Sequence, residues 1–416
     1  MADVNPARIL AHRSLLKLAC GKYTNLEVNT TLNRSELSAE DRALYTRLIY
    51  GAVERLITLD YAVGQYSTTP PDKITPEALA ALRLGFYQLK YCDRIPDHAA
   101  VSESVELCPK KQKGFVNAVL RAFVRGSKEI KLPEDRHERM SVLYSVPLPL
   151  CEKFIEWYGD RAEKIFASFF NSEKISLRIN TLKISTADAA EKLGGAISTI
   201  AENSVLVNSF EGVAEGIEKG LWFVQDEAST VCAETVGALP GETLVDTCSA
   251  PGGKTFSIAI GMENRGKIFA FDIHKNKLSL IEKGADKLGL DIIETSERDA
   301  RLPHEKLLGK ADRVLCDAPC SGLGVIGKKP DIKYKDIADI ERLPQIQYNV
   351  LCGASEYVKP GGVLVYSTCT LNPYENGNVT DKFLSEHGDF KKDFEKTFFP
   401  DTDKTDGFYI CRMLRK

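Results

Sequence analysis

Beyond about residue 216 the chain alternates short apolar runs with amphipathic stretches, and this alternation restricts the fold more than any other feature. TLVDT at 243–247, KIFAFD at 267–272, RVLCDA at 313–318 and GVLVYST at 362–368 are too short for helices and largely apolar. Segments of helical period, such as KNKLSLIEKGADKLG, lie between them. Strands buried on both faces read as near-continuous apolar runs, and strands separated by helices return to one parallel sheet. A doubly wound α/β domain is therefore expected over 216–416.

The rest of the 416 residues needs further domains, because one core of this size is uncommon. Residues 1–135 read as all helical. Apolar positions recur at three- and four-residue spacing through ALYTRLIYGAVERLITLDYAV and ALAALRLGFYQLKYC, and Pro70-Pro71 and Arg94-Ile95-Pro96-Asp97 break the pattern. Asp97 is placed to cap the helix that follows. The N-terminal leucines and Ile9 recur at helical spacing, which predicts a folded amphipathic helix and not a signal peptide. Pro133, Pro147 and Pro149 mark a connection. Residues 145–215 mix helix with the short strands ISLRINTL and SVLVNSF, a small α/β subdomain.

Eleven cysteines without a CxxC pair do not make a disulfide framework, and the six histidines do not join them at zinc-ligand spacing. No metal site is expected, and free thiols in a reducing cytoplasm are. No stretch approaches the roughly 20 apolar residues of a membrane span. Residues 1–140 carry 21 Lys and Arg against 17 Asp and Glu, whereas 141–416 carry 34 against 41. A mildly basic first domain permits nucleic-acid binding without demonstrating it.

Cys248-Ser249-Ala250-Pro251-Gly252-Gly253-Lys254 follows the first strand of the α/β domain and opens a helix. Such a turn holds a nucleotide-like ligand at the sheet edge. It is not a phosphate-binding P-loop, because Cys248 stands where that motif needs glycine and Pro251 removes a backbone donor. A glycine turn that lets backbone approach an adenosyl group remains. Asp272 ends the next strand, about 20 residues on, where a carboxylate can accept from ribose hydroxyls. Asp299, after the following strand, is placed to face an adenine.

Two cysteines follow two further strands, in Asp317-Ala318-Pro319-Cys320-Ser321-Gly322 and in Ser367-Thr368-Cys369-Thr370. Both belong at the cofactor edge of the sheet. Thiols there suit covalent catalysis, in which a thiolate adds to the substrate and is later expelled. Spacing alone leaves open which cysteine attacks.

These residues carry a resemblance. DTCSAPGGKT, DAPCSGLGVI and YSTCTLNPYENG, joined by LRINTL, VQDEAST and DGFYICR, resemble the NOL/NOP/Sun family of RNA 5-methylcytosine methyltransferases. RLIYGAVERLITLD, LRLGFYQLKYCDRIPDHAAVSESVEL and GFVNAVLR resemble the RNA-binding NusB fold, an arrangement found in the bacterial RsmB/Sun branch. The resemblance implies a NusB-like helical domain, a small RRM-like subdomain and a Rossmann-like class I methyltransferase domain. It implies S-adenosyl-L-methionine as cofactor and a cytosine of 16S rRNA, that at position 967, as target. Cys369 would be the nucleophile that adds to carbon 6, Cys320 would help release the product, and Asp317 would hold the ring at N3. Segment 248–254, Asp272, Asp299 and Asp317 would line the cofactor site, and Lys328–Lys333 would be a basic segment near the RNA groove. A cytoplasmic monomer acting on free or early-assembly small-subunit RNA is implied. Transfer RNA as substrate, or an inert RNA-binding assembly factor, are the alternatives. One departure is visible: Gly377 stands where the family often has glutamate.

Overall fold

The computed structural model describes residues 4–19, 23–171 and 174–416. They form two compact units: Met1–Ala167 with Lys328–Lys335, and Ser168–Gly327 with Asp336–Lys416. These two units are coarser than the three segments expected at 1–135, 145–215 and 216–416.

Among the described residues the first unit is helical, from Pro6–Leu18 through Ala39–Glu54, Leu56–Tyr66, Pro76–Tyr91 and Lys113–Arg125 to Arg161–Ser168. Its first helix is amphipathic as expected: Ala7, Ala11 and Leu15 are buried with Arg8, His12 and Ser14, and Leu10, Leu16 and Leu18 pack part-buried against the same core. Small residues there let helices approach. Arg8 is satisfied by Gln88 Oε1 at 2.7 Å and Glu103 at 3.1 Å. At the centre Phe86 and Phe123 stack with centroids 4.3 Å apart. Asp97 is the first residue of its helix and makes no cap; its carboxylate instead accepts from Lys128 Nζ at 2.6 Å.

Lys328–Lys335 belongs to this unit although the chain on either side belongs to the other. The helix Ala39–Glu54 ends with carbonyls that lack intrahelical partners. Lys333 Nζ donates to Glu54 O at 2.7 Å and the Tyr334 hydroxyl to Val53 O at 2.8 Å. Lys333 is 1% exposed, so it is not part of an open basic surface, unlike Lys328 and Lys329, which are exposed. Its cation sits at the negative end of a helix, a favourable placement. Burial nevertheless lowers its pKa from 10.5 to about 7, opposed by nearby Glu54. In that window the unfolded chain binds more protons than the folded one, so this lysine makes stability rise with pH between about 7 and 10.5. Relative to Lys333→Met, the natural protein is expected to gain up to roughly 1.4 kcal/mol per pH unit there, read from urea midpoints at pH 7, 8 and 9. A difference that is flat with pH counts against a depressed lysine.

The second unit contains two sheets. Strands β1 (Ile175–Ile179), β2 (Ala196–Ile197), β3 (Ser204–Val207) and β4 (Trp222–Val224) form an antiparallel sheet in the order β2-β3-β1-β4. Helices Thr186–Leu193 and Val213–Glu218 complete a βαββαβ pattern. Trp222 fills its core and donates Nε1–H to Val213 O at 2.9 Å. Asn180, fully buried, donates from one amide to Gly220 O and Leu288 O, both at 3.0 Å. That fixes the small sheet against the helix Lys275–Leu288, which is what the asparagine of LRINTL does here.

The large sheet comprises β5 (Thr243–Asp246), β6 (Lys267–Asp272), β7 (Ile293–Glu297), β8 (Ala311–Asp317), β9 (Val358–Thr368), β10 (Phe390–Phe398) and β11 (Phe408–Arg415). The order is β10-β11-β9-β8-β5-β6-β7. Strands β5 to β9 pair in parallel, as the alternation predicts. The sheet is nonetheless mixed, because β11 runs antiparallel to both β9 and β10. The order reverses between β5 and its neighbours β6 and β8, and a crevice at such a switch point, beyond the strands' carboxyl ends, is where ligands bind.

Candidate active site

Five segments meet at the carboxyl edge of the parallel strands. The first is the glycine turn after β5. Ser249 closes it, donating N–H and Oγ–H to Phe271 O at 2.8 Å each, and Gly252 N–H returns to Ser249 O at 2.7 Å. Gly252 has φ +109°, a conformation open to glycine, and a Cβ there would strike the Phe256 ring. Gly253 begins the helix Gly253–Gly261. Beneath the turn Asp246 is 1% exposed and accepts from Thr255 Oγ1 at 2.7 Å, and burial raises its pKa to about 7.

Asp272, at the end of β6, is held in one orientation. Its oxygens accept from His274 N at 2.8 Å and Ala250 N at 3.3 Å, so the carboxylate is tied to the glycine turn itself. A fixed acceptor beside a turn of close-approaching backbone fits an adenosyl ribose. Asp299 differs. Its neighbour Arg298 donates N–H to Asp272 O at 3.0 Å, but the Asp299 carboxylate is taken by Arg301, with Nε at 2.9 and 3.1 Å and Nη2 at 2.5 Å. The Arg301 guanidinium holds that carboxyl below the usual range. Lys254, which the sequence groups with the glycine turn, reaches instead to Asp317.

Asp317 ends β8 and is paired opposite Ser367 of β9. One oxygen accepts from Lys254 Nζ at 2.7 Å and the other from Ser367 Oγ at 2.8 Å. The Lys254 ammonium also lies 4.8 Å from the centroid of Phe408, from DGFYICR.

Past the ends of β8 and β9 the chain reaches Cys320 and Cys369, whose sulfurs are 3.2 Å apart. Both are partly exposed. Cys369 beside it, together with burial, pushes the Cys320 thiol well up. Other thiols of this unit are pushed up by burial alone in first place: Cys232 and Cys411 to about 12, with Cys248 and Cys316 also raised. Packing accounts for those.

The surrounding bonds come from residues that sequence spacing did not single out. Glu375 is fully buried, and its carboxylate accepts from Ser321 N at 2.8 Å, Gln347 Nε2 at 2.8 Å and Asn372 Nδ2 at 3.0 Å. Gln347, from the helix Ile337–Ser355, also donates to Pro319 O at 3.0 Å. Ser321 Oγ and Thr370 Oγ1 are 2.7 Å apart. Glu375 lay within a recognised motif; Gln347 lay in none, so nothing local marked it. Gly377 begins the next helix, and a Cβ there would have Glu395 Oε1 as its nearest neighbour, at 3.6 Å. A glutamate at this position would face that carboxylate.

Gly324 explains DGFYICR and part of DAPCSGLGVI together. Its N–H donates to Cys369 O at 3.0 Å and its carbonyl accepts from Gly407 N at 2.9 Å. Asp406 N in turn donates to Asp226 of VQDEAST at 3.3 Å. A Cβ on Gly324 would lie 1.8 Å from Gly407 O, a backbone atom that cannot swing aside. Among the described residues there is no group of three or more potential metal ligands, and no helix is long and apolar enough to cross a membrane.

Comparison with known proteins agrees with this arrangement. The pattern of the 16S rRNA methyltransferase RsmB/F family matches residues 235–414, and that of the NusB family matches residues 5–125. A probable ribosomal RNA small subunit methyltransferase B of Bacillus subtilis is 38% identical over 98% of both chains. Ribosomal RNA small subunit methyltransferase B of Serratia proteamaculans is 30% identical over 97% of this chain and 98% of its own. The crystal structure of PH0851 superposes with a TM-score of 0.81 at 26% identity, covering 98% of both chains. The protein is thus an S-adenosylmethionine-dependent RNA methyltransferase with a helical NusB domain. It belongs to the ribosomal RNA small subunit methyltransferase B family.

Replacing Gly324 by alanine is expected to destabilise the protein by about 1–3 kcal/mol through overpacking, seen as a lower urea midpoint, with reduced methyl transfer. An unchanged midpoint would show that the Gly324–Gly407 contact can open freely.

Proposed function

We propose that the enzyme methylates carbon 5 of a cytosine in 16S rRNA through a covalent adduct on Cys369. The observation that carries this reading is the 3.2 Å separation of two partly exposed sulfurs at the ends of adjacent parallel strands. A cytosine C5 is a weak nucleophile. When the Cys369 thiolate adds to C6, the ring becomes an enamine whose C5 can take a methyl cation equivalent. S-adenosylmethionine, when bound, supplies that methyl group. Asp272 and the turn 248–253 hold the cofactor, and Asp299 lies near the same edge.

Cys369 attacks as the thiolate, and Cys320, 3.2 Å away, stands beside the attacking sulfur. Asp317 and Lys254 serve the polar edge of the ring at N3, held in place by Ser367. In the second half the C5 proton passes to solvent water, its bonding pair restores the C5–C6 double bond, and the S–C6 bond breaks with its electrons returning to Cys369; Cys320 assists this release. The target is position 967 by family resemblance, in free or early-assembly small-subunit RNA. A paired cytosine must be flipped out before a thiol reaches C6.

Cys369→Ala is expected to abolish methyl transfer with cofactor binding intact, and full activity in that variant removes the nucleophile assignment. Cys320→Ala should accumulate a protein–RNA adduct, visible as a shifted band on a denaturing gel. Bisulfite sequencing of RNA from cells with and without the gene tests the target. Loss of one 5-methylcytosine in 16S rRNA supports it, and loss in a transfer RNA instead overturns it.

A further inference from the structure

Pairing of β8 with β9 brings Cys320 and Cys369 to one edge, but both sulfurs stand beyond the strands, Cys320 three residues past β8 and Cys369 one residue past β9. Strand register alone does not hold two loop atoms at a working distance. Glu375 and Gln347 bond to both loops. Ser321 N and Gln347 Nε2 meet at Glu375 Oε2, and Asn372 Nδ2 reaches Oε1, with Thr370 Oγ1 more distant at 3.5 Å. Gln347 uses its other N–H on Pro319 O, the residue before Cys320.

Two details indicate a demanding position. Ser321 N, Gln347 Nε2, Asn372 Nδ2 and Thr370 Oγ1 all donate to this carboxylate, so an amide in its place would set N–H against N–H. Gln347 Oε1 is buried without a hydrogen-bond partner. Leaving an acceptor unsatisfied is costly, and the amide is kept there for its two N–H groups. A fold that needed only packing at this site would fill it with apolar groups and avoid both burdens.

We propose that Glu375 and Gln347 form a clamp that sets the Cys320–Cys369 separation, and are positioning residues for methyl transfer. This rests on the reading that both thiols act in the reaction. Each residue acts through the loops it ties and touches neither substrate nor cofactor.

The test uses the full chain with Glu375→Gln and Gln347→Met. Thiol separation is read without catalysis, by the rate at which diamide couples Cys320 to Cys369. Two thiols give two hydrogens to the azo bond, and the new disulfide is identified by peptide mass. Single-turnover methyl transfer to 16S rRNA and S-adenosylmethionine affinity are measured beside it. The clamp predicts slower coupling in both variants, methyl transfer lowered by about 100-fold, the scale of an ångström of misplacement, and unchanged cofactor affinity. If Glu375→Gln does not fold, Gln347→Met, which removes only a neutral amide, carries the test. An unchanged coupling rate in a folded variant overturns the clamp. Slower coupling with full methyl transfer overturns its part in the reaction, whereas failure of the two-thiol reading shows separately, as activity in Cys369→Ala.

Discussion

Strands β8 and β9 pair in parallel with Asp317 opposite Ser367, and the Ser367 hydroxyl reinforces that pairing by donating to the Asp317 carboxylate. The rest of the site depends on this register. It fixes where both cysteine loops begin, so the sulfurs leave the sheet on the same edge. It also presents Asp317 to Lys254, which arrives from the glycine turn of the next strand over. A slip of one residue would turn alternate side chains to the opposite face, parting Asp317 from Ser367.

Around that register the loops are tied by groups distant in sequence. Glu375, Gln347, Gly324, Gly407 and Asp226 each join segments that are far apart along the chain. Their bonds are short and local in space, yet no periodicity records them. The motifs named from sequence thus include residues with different tasks. Some face the reaction, while others, like Asp226 and Gly407, hold one motif against another.

What was legible followed from burial. β5, β6, β8 and β9 are buried on both faces and stand out as apolar runs, and the glycine turn and both cysteines follow from where those runs stop. β10 was not legible, because most of its nine residues face solvent and the run KKDFEK reads as polar. β7, at the opposite edge, has the same character in IETSE. An edge strand with charged side chains resists pairing with other chains, and that very property hides it from a search for apolar runs. Lys333 misled in the opposite sense. It lies in a segment expected to be a basic stretch near the RNA groove, but its place at the end of the helix Ala39–Glu54 is set by residues nearly three hundred positions earlier. Asp299 was legible as a strand-end acid, and its pairing with Arg301 was not, since nothing in the spacing decides between a ligand and a neighbour.

The first unit is discontinuous in sequence, taking Lys328–Lys335 from within the catalytic half. A protein is made from its N-terminus, so the helices of this unit leave the ribosome long before the piece that covers the end of Ala39–Glu54. Until residue 335 has been synthesised, Val53 and Glu54 lack the donors that complete them. The helical unit therefore reaches its finished form only after the Cys320 loop has been made. Cutting the gene between the two halves would leave the end of Ala39–Glu54 without the Lys333 and Tyr334 donors, and exchange of the helical unit between relatives keeps those bonds only if this eight-residue segment travels with it.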